Sequence, residues 1–78
     1  MMQELLIAMA QGLVEFPDQV TVTVDEADEE GIITYHLHVS ETDMGRVIGK
    51  QGRIAKAIRT VMRAAASRND QKVAVEID

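Results

Sequence analysis

The chain has 78 residues and a mass of 8.6 kDa, enough for one domain with a single small core, and it contains no Cys for disulfides, thiolate metal sites or a thiol nucleophile. With 46% hydrophobic and 27% charged residues it is neither a disordered chain nor a membrane-spanning one: the uncharged stretch Leu5–Val14 reaches only ten residues, against the ~20 a span requires. The net charge of −5 averages two opposed halves, because all eight basic residues fall within Arg46–Lys72, which carries +7, while residues 1–45 hold ten acids and no base.

In chain order, Met2–Phe16 reads as a helix. Met2, Leu5, Leu6, Met9, Ala10 and Leu13 share one face, and Pro17 ends the helix by forcing its predecessor out of the helical region. Nothing in Met1–Glu15 resembles a secretory leader, so the expectation is a cytoplasmic protein. Val20, Val22 and Val24 alternate with Thr21 and Thr23, the period of a half-buried strand. Asp25–Gly31 is an acidic, Gly-terminated loop. Ile32–Val39 then places Ile33, Tyr35, Leu37 and Val39 on one strand face and Thr34, His36 and His38 on the other.

Ser40 or Thr42 can cap a short helix running through Ile48, with Glu41 and Asp43 at its positive end. Gly49-Lys50-Gln51-Gly52 interrupts it. A long helix resumes from Arg53 to about Arg68, with Asn69 as a left-handed stop, and Lys72–Ile77 alternates as a last strand. The fold class is therefore α+β: helix, strand, strand, helix, helix, strand. Three helices on one face of a three-stranded mixed sheet bury every apolar stripe, with the first two strands antiparallel and the last parallel to the second.

The chemistry concentrates at Val47-Ile48-Gly49-Lys50-Gln51-Gly52-Arg53-Ile54. Two glycines three apart let a ligand approach the backbone without Cβ atoms in the way. The long helix opens with no acid nearby, so its positive end is open to an external anion, flanked by Lys50 and Arg53. Along this helix Ile54, Ala57, Ile58, Val61 and Ala65 form a core face. Arg53, Lys56, Arg59, Thr60, Arg63 and Ser67 form the opposite arc, a cationic ridge roughly 15 Å long between Arg53 and Arg63.

This stretch resembles the core of a KH domain, which has an aliphatic pair, G-x-x-G with a basic middle, and Ile at the third and seventh positions of the next helix. The element order is similar to the bacterial type II arrangement. Asp43–Thr60, Ala64–Ser67 and Lys72–Asp78 are similar to the small stand-alone bacterial KH proteins of the KhpA type, making residues 1–78 a single KH domain. The resemblance implies a non-enzymatic protein that clamps about four nucleotides of single-stranded RNA without a cofactor. Gly49 and Gly52 would permit backbone approach, Lys50 and Gln51 would project toward phosphates, and Arg53, Arg46 and Lys56 would assist. Val47 and Ile48 would line an aliphatic floor for the bases, while Ile54 and Ile58 belong to the core. It further implies a post-transcriptional regulator or RNA chaperone. The working form would be a homodimer, or a heterodimer with a larger KH-containing protein of the Jag/EloR (KhpB) type.

Phe16 and Tyr35 are the sole aromatics and neither is near the loop in sequence, so there is no stacking platform and a single copy should bind weakly. His36 and His38 share a strand face without the further ligands a metal needs, and the DEADEEG loop lacks the calcium-loop ladder. Ser40 and Ser67 have no recognisable base beside them. Ile7 and Val14 widen the apolar face of the first helix, through deep burial or as a surface for a second chain. The rival to RNA binding is a protein-interaction module whose KH fold serves dimerisation and touches RNA incidentally.

Overall fold

Strand alternation sets the frame. In the computed structural model, which describes residues 2–78 with Lys50 by its backbone alone, β1 (Thr21–Val24) pairs antiparallel with β2 (Ile32–His38), and β3 (Lys72–Ile77) pairs parallel with β2. The sheet order is β1-β2-β3, so β2 is central and β3 is an edge. Val22, Tyr35, Leu37 and Val75 are buried on one face, where they meet Met2, Leu6 and Ala10 of α1 (Met2–Leu13) and Ile58, Met62 and Ala66 of α2 (Glu41–Arg68). The helices occupy that face. The other carries Thr21, Thr23, His36, His38 and Glu76.

α1 ends at Leu13, three residues short of the expected Phe16, and a 3-10 turn follows at Pro17–Gln19. Proline explains only the last step. The decisive partner is Asp43, fully buried at the start of α2, whose carboxylate accepts the backbone N–H groups of Glu15 (2.9 Å) and Phe16 (3.0 Å) and the Ser40 hydroxyl (2.9 Å). Amides that would have bonded back into α1 are drawn across to α2 instead. Ser40 is the N-cap, its Oγ accepting the Asp43 N–H.

α2 runs as one helical stretch where two helices were expected. The expected interruption is nonetheless there, as two consecutive left-handed residues, Gln51 (φ 66°) and Gly52 (φ 68°). A right-handed helix cannot carry both on a straight axis, so the chain changes direction at the G-x-x-G segment. At the far end, the left-handed residue is Asp70 (φ 55°) and not Asn69. Gln71 N–H bonds to Ala66 O and Asp70 N–H to Ser67 O, a Schellman arrangement, while Asn69 Nδ2 donates to Ala65 O.

Two expectations about faces change. Ala57 and Val61 lie exposed, not in the core, because the buried stripe of α2 is Ala55, Ile58, Met62 and Ala66. Ile7 and Val14 are half-buried against the core, which favours burial over an open interface at those two positions.

Two titrating groups act with opposite signs. Burial alone would raise the Asp43 pKa. The Glu15, Phe16 and Ser40 hydrogen bonds, with Arg46, hold it below the ordinary carboxylate value instead. Its contribution is thus present above that ordinary value and is lost as pH falls through the lower folded one. His36 is hydrogen-bonded to Asp25 (2.8 Å) and faces Glu76 (3.3 Å), which raises its pKa above 6.5. Its contribution is complete below 6.5 and disappears as pH rises through the folded value. In thermal melts against pH, Asp43→Asn should lower Tm on the order of 10 °C near neutrality and flatten the acid limb. His36→Gln should flatten only the alkaline limb. Parallel pH profiles in wild type and both variants would refute both assignments.

Candidate nucleic-acid interface

The buried stripe of α2 orients everything around it. With Ala55, Ile58, Met62 and Ala66 turned into the core, Lys56 and Arg63 stand exposed on one flank, Ala57 and Val61 on the other, and Arg53 and Ala64 between them on the outer side. The basic flank faces the sheet edge. Arg59, expected on the open ridge, is instead half-buried there and donates its Nε–H to the Val75 carbonyl at 3.2 Å. Arg59 and Arg63 wall a hollow of about 130 Å³ against Val73, Ala74 and Val75.

Beside the glycine loop lies a wider concavity of about 540 Å³, lined by Gly45, Arg46, Gly49, Arg53 and Ile54. A Cβ built on Gly45, Gly49 or Gly52 meets nothing within 4 Å. Gly52 needs its lack of a side chain for a positive φ, but Gly49 has neither a packing nor a backbone reason inside the protein to be glycine. Its small size makes sense against something that comes from outside.

Of the residues expected here, Gln51, Arg53 and Lys56 are exposed, and Ile48 is 52% exposed. The Lys50 side chain lies outside the described residues. Val47 is a correction: at 1% exposure it is packed away and offers no surface to a base. Arg46 lines the concavity and also meets Glu15 at 3.6 Å, both side chains being half-exposed. Among the described residues no carboxylate lies within ion-pair distance of Arg53, Lys56, Arg59 or Arg63. The corner is open. A second hollow of about 540 Å³, between Met2, Gln3, Val24, Tyr35, Asn69 and Gln71, has no charged side chain in its lining and suits a phosphate poorly.

The family profile described as "KhpA/KhpB, KH domain" matches residues 3–77. The chain belongs to the KhpA/KhpB KH-domain family. It is 53% identical over 76 residues to the RNA-binding protein KhpA of Listeria monocytogenes, covering 97% of each chain. Against KhpA of Clostridium acetobutylicum identity is also 53%, with 97% of this chain and 99% of the relative covered. KhpA of Treponema pallidum is 43% identical over 77 residues, covering 99% of this chain and 94% of its own. Among solved structures, Era in complex with MgGDPNP and nucleotides 1506–1542 of 16S ribosomal RNA superposes with a TM-score of 0.73. Identity there is 21%, and the match covers 97% of this chain but 28% of Era, a likeness of fold.

Within this KH domain, reasoning from sequence missed Gly45, Ile54 as a lining residue, and the β3 edge. Gly45 had a readable signal: it precedes Gly49 by four positions, so both open the same helical face. Ile54 packs on the core and still reaches the concavity, a double position that periodicity assigns only to the core.

The two loop glycines should respond differently to a methyl group. Gly49→Ala should leave Tm unchanged or raise it by the equivalent of ~0.5–1 kcal/mol, as for Gly to Ala in a helix. Gly52→Ala should destabilise by ~1–2 kcal/mol, because Ala must adopt a left-handed φ. Urea titrations of both variants check this, and equal losses would contradict the different reasons given for the two glycines.

Proposed function

We propose that this KH domain binds single-stranded RNA, holding the sugar-phosphate backbone in the concavity at Gly49–Gly52. The supporting observation is Gly49, a glycine that nothing inside the protein requires, at a cationic corner where, among the described residues, the one carboxylate in ion-pair range is Glu15, on Arg46. The backbone passes Gly49 closely while Arg53 and Arg46 lie beside its phosphates, with Lys56 further along the flank. Lys50 adds a positive charge to the loop sequence, and Gln51, exposed beside it, faces the same phosphates. Ile48 and Ile54 offer the bases an apolar surface in place of Val47. No catalytic step belongs to this reading, and no cofactor; the relatives named above are described as RNA-binding proteins. Among the described residues no helix is long and apolar enough to cross a membrane. A cytoplasmic post-transcriptional regulator or RNA chaperone is the role this binding would serve.

Phosphate-led binding releases counterions, so three or four contacts should give a log–log salt slope of about −2 to −3. The variant carrying Gly49→Asp and Gly52→Asp should keep its circular dichroism spectrum and lose RNA binding at least tenfold, since carboxylates would occupy the anion site. A flat salt response, or unchanged affinity in the folded double variant, would overturn the clamp.

The rival reading, an interaction module, is favoured by a different observation. Leu13, Phe16 and Val61 remain 41–43% exposed on the helical side of the domain. Their burial against a second copy, or against a larger KH protein of the KhpB type, would raise the avidity of a weak single site. Sedimentation velocity over a concentration series should show reversible self-association. A monomer at every concentration would remove the homodimer.

A further inference from the structure

The hollow between the start of α1, the end of β1 and the turn from α2 to β3 shares no lining residue with the glycine concavity. Tyr35 lines it while only 6% exposed, as a member of the core. Its hydroxyl has no hydrogen-bond partner among the described residues, yet it is not sealed from solvent. A buried phenol ordinarily sits where its O–H finds a partner. Here the partner has to come through the hollow. The rest of the wall offers oxygen. Gln3 gives its Nε2 to Val22 O (3.3 Å) and Asn69 its Nδ2 to Ala65 O (3.0 Å). Among the described residues this leaves both amide oxygens without a donor, and the Gln71 amide unengaged. Asn69 is also the C-cap of α2, which puts the negative end of that helix dipole at the same wall.

Charge narrows the ligand. The hairpin loop leaves the wall directly after Val24 with Asp25, Glu26, Asp28, Glu29 and Glu30, and Asp70 sits in the α2–β3 turn, against Arg68 and Lys72. A phosphate backbone is repelled there and a cation is drawn in. The edge of β1 adds a backbone partner. Asp25 N–H bonds to Thr34 O (2.9 Å), so alternation turns the backbone groups of Val22 and Val24 away from β2, where Gln3 already meets Val22 O. Val24 is left beside the hollow, open to an added strand.

We propose that this hollow docks a basic, extended segment of a protein partner, seating one arginine side chain on the Tyr35 hydroxyl and the amide oxygens of Gln3, Asn69 and Gln71. A guanidinium has five N–H donors and no acceptor, the complement of a wall of oxygens. Its methylene stem lies along Met2 and the exposed Val24. A second copy of this chain is a poor occupant, because its own β1 edge carries the same acids.

The test titrates the isotope-labelled domain by NMR with a capped hexapeptide of alternating arginine and valine, and with the same peptide carrying neutral citrulline for arginine. Amide signals of Gln3, Val24, Asn69 and Gln71 should move while those of Gly49–Arg53 stay in place. Citrulline should weaken binding at least about tenfold, since it keeps the shape and loses the charge. Tyr35→Phe removes only the hydroxyl and should weaken the arginine peptide about three- to tenfold, the scale of one hydrogen bond. Gln71→Lys, at an exposed position, brings a cation to the hollow and should abolish binding. Both variants should bind hexauridylate as the wild type does, and the peptide result stands whether or not RNA binds elsewhere. Shifts confined to residues 25–30, or unchanged affinity in Gln71→Lys, reduce the contact to diffuse attraction by the loop and overturn the docking site. Movement of the same four amides with hexauridylate would give the hollow to RNA, and on concentrating the domain alone to a second copy; either overturns the proposal, as does absence of peptide binding.

Discussion

The rotation of α2 about its own axis governs this molecule. Ala55, Ile58, Met62 and Ala66 recur at intervals of three and four, and all are at most 4% exposed. Turning the helix by one residue, about 100°, would put Lys56, Arg59 and Arg63 into that stripe in one direction, and in the other would replace Ile58 and Met62 by the smaller Ala57 and Val61. The angle is therefore fixed by the core, and the basic flank has no freedom to lie anywhere but beside the β3 edge. The same orientation places Arg59 within reach of the Val75 carbonyl.

Five of the thirteen acids of the chain help to hold this arrangement. Asp43 ties the connector after α1 to the first turn of α2. Asp28 Oδ1 closes the hairpin loop by accepting the Glu30 and Ile32 N–H groups, helped by the positive φ of Gly31. Asp25, just after β1, and Glu76 of β3 flank His36, and Asp78 meets His38. Each of these carboxylates has a task near the sheet or the helix start. The formal excess of acid thus coexists with a corner where, among the described residues, Glu15 on Arg46 is the one carboxylate in ion-pair range.

What could be read from the sequence follows the range of the forces involved. β3 and the pairing of β1 with β2 were legible because alternation of Val with Thr and Ala is a local signal, and the long crossover correctly implied a parallel third strand. The interruption at Gly49–Gly52 was legible as chemistry but not as geometry, since glycine announces freedom and does not say which residues go left-handed. The end of α1 was not legible. It depends on Asp43, 27 and 28 positions away, taking amides that local rules assign to the helix. Val47 misled for a related reason, because an aliphatic pair beside a glycine loop does not reveal which member points inward. Arg59 was hidden by its charge: a wheel places it with the other cations, whereas its aliphatic stem and Nε–H favour the strand edge.

The charges left over make the strongest physical case for a polyanionic partner. Lys56, Arg59 and Arg63 are spaced three and four apart on one helix, an arrangement that repels by a few tenths of a kcal/mol per pair. Exchanging one of them with an acid from the loop at 25–30 would relieve that repulsion without touching the core. Beyond the Arg59–Val75 hydrogen bond, folding gains nothing from clustering these cations beside a free sheet edge. A ligand with regularly spaced negative charge gains from all three at once. Its phosphates would meet the cations, its backbone would find room at the absent side chains of Gly45 and Gly49, and the free edge of β3 would lie beside it. A small anion would use the first alone and leave the other two features without a physical reason.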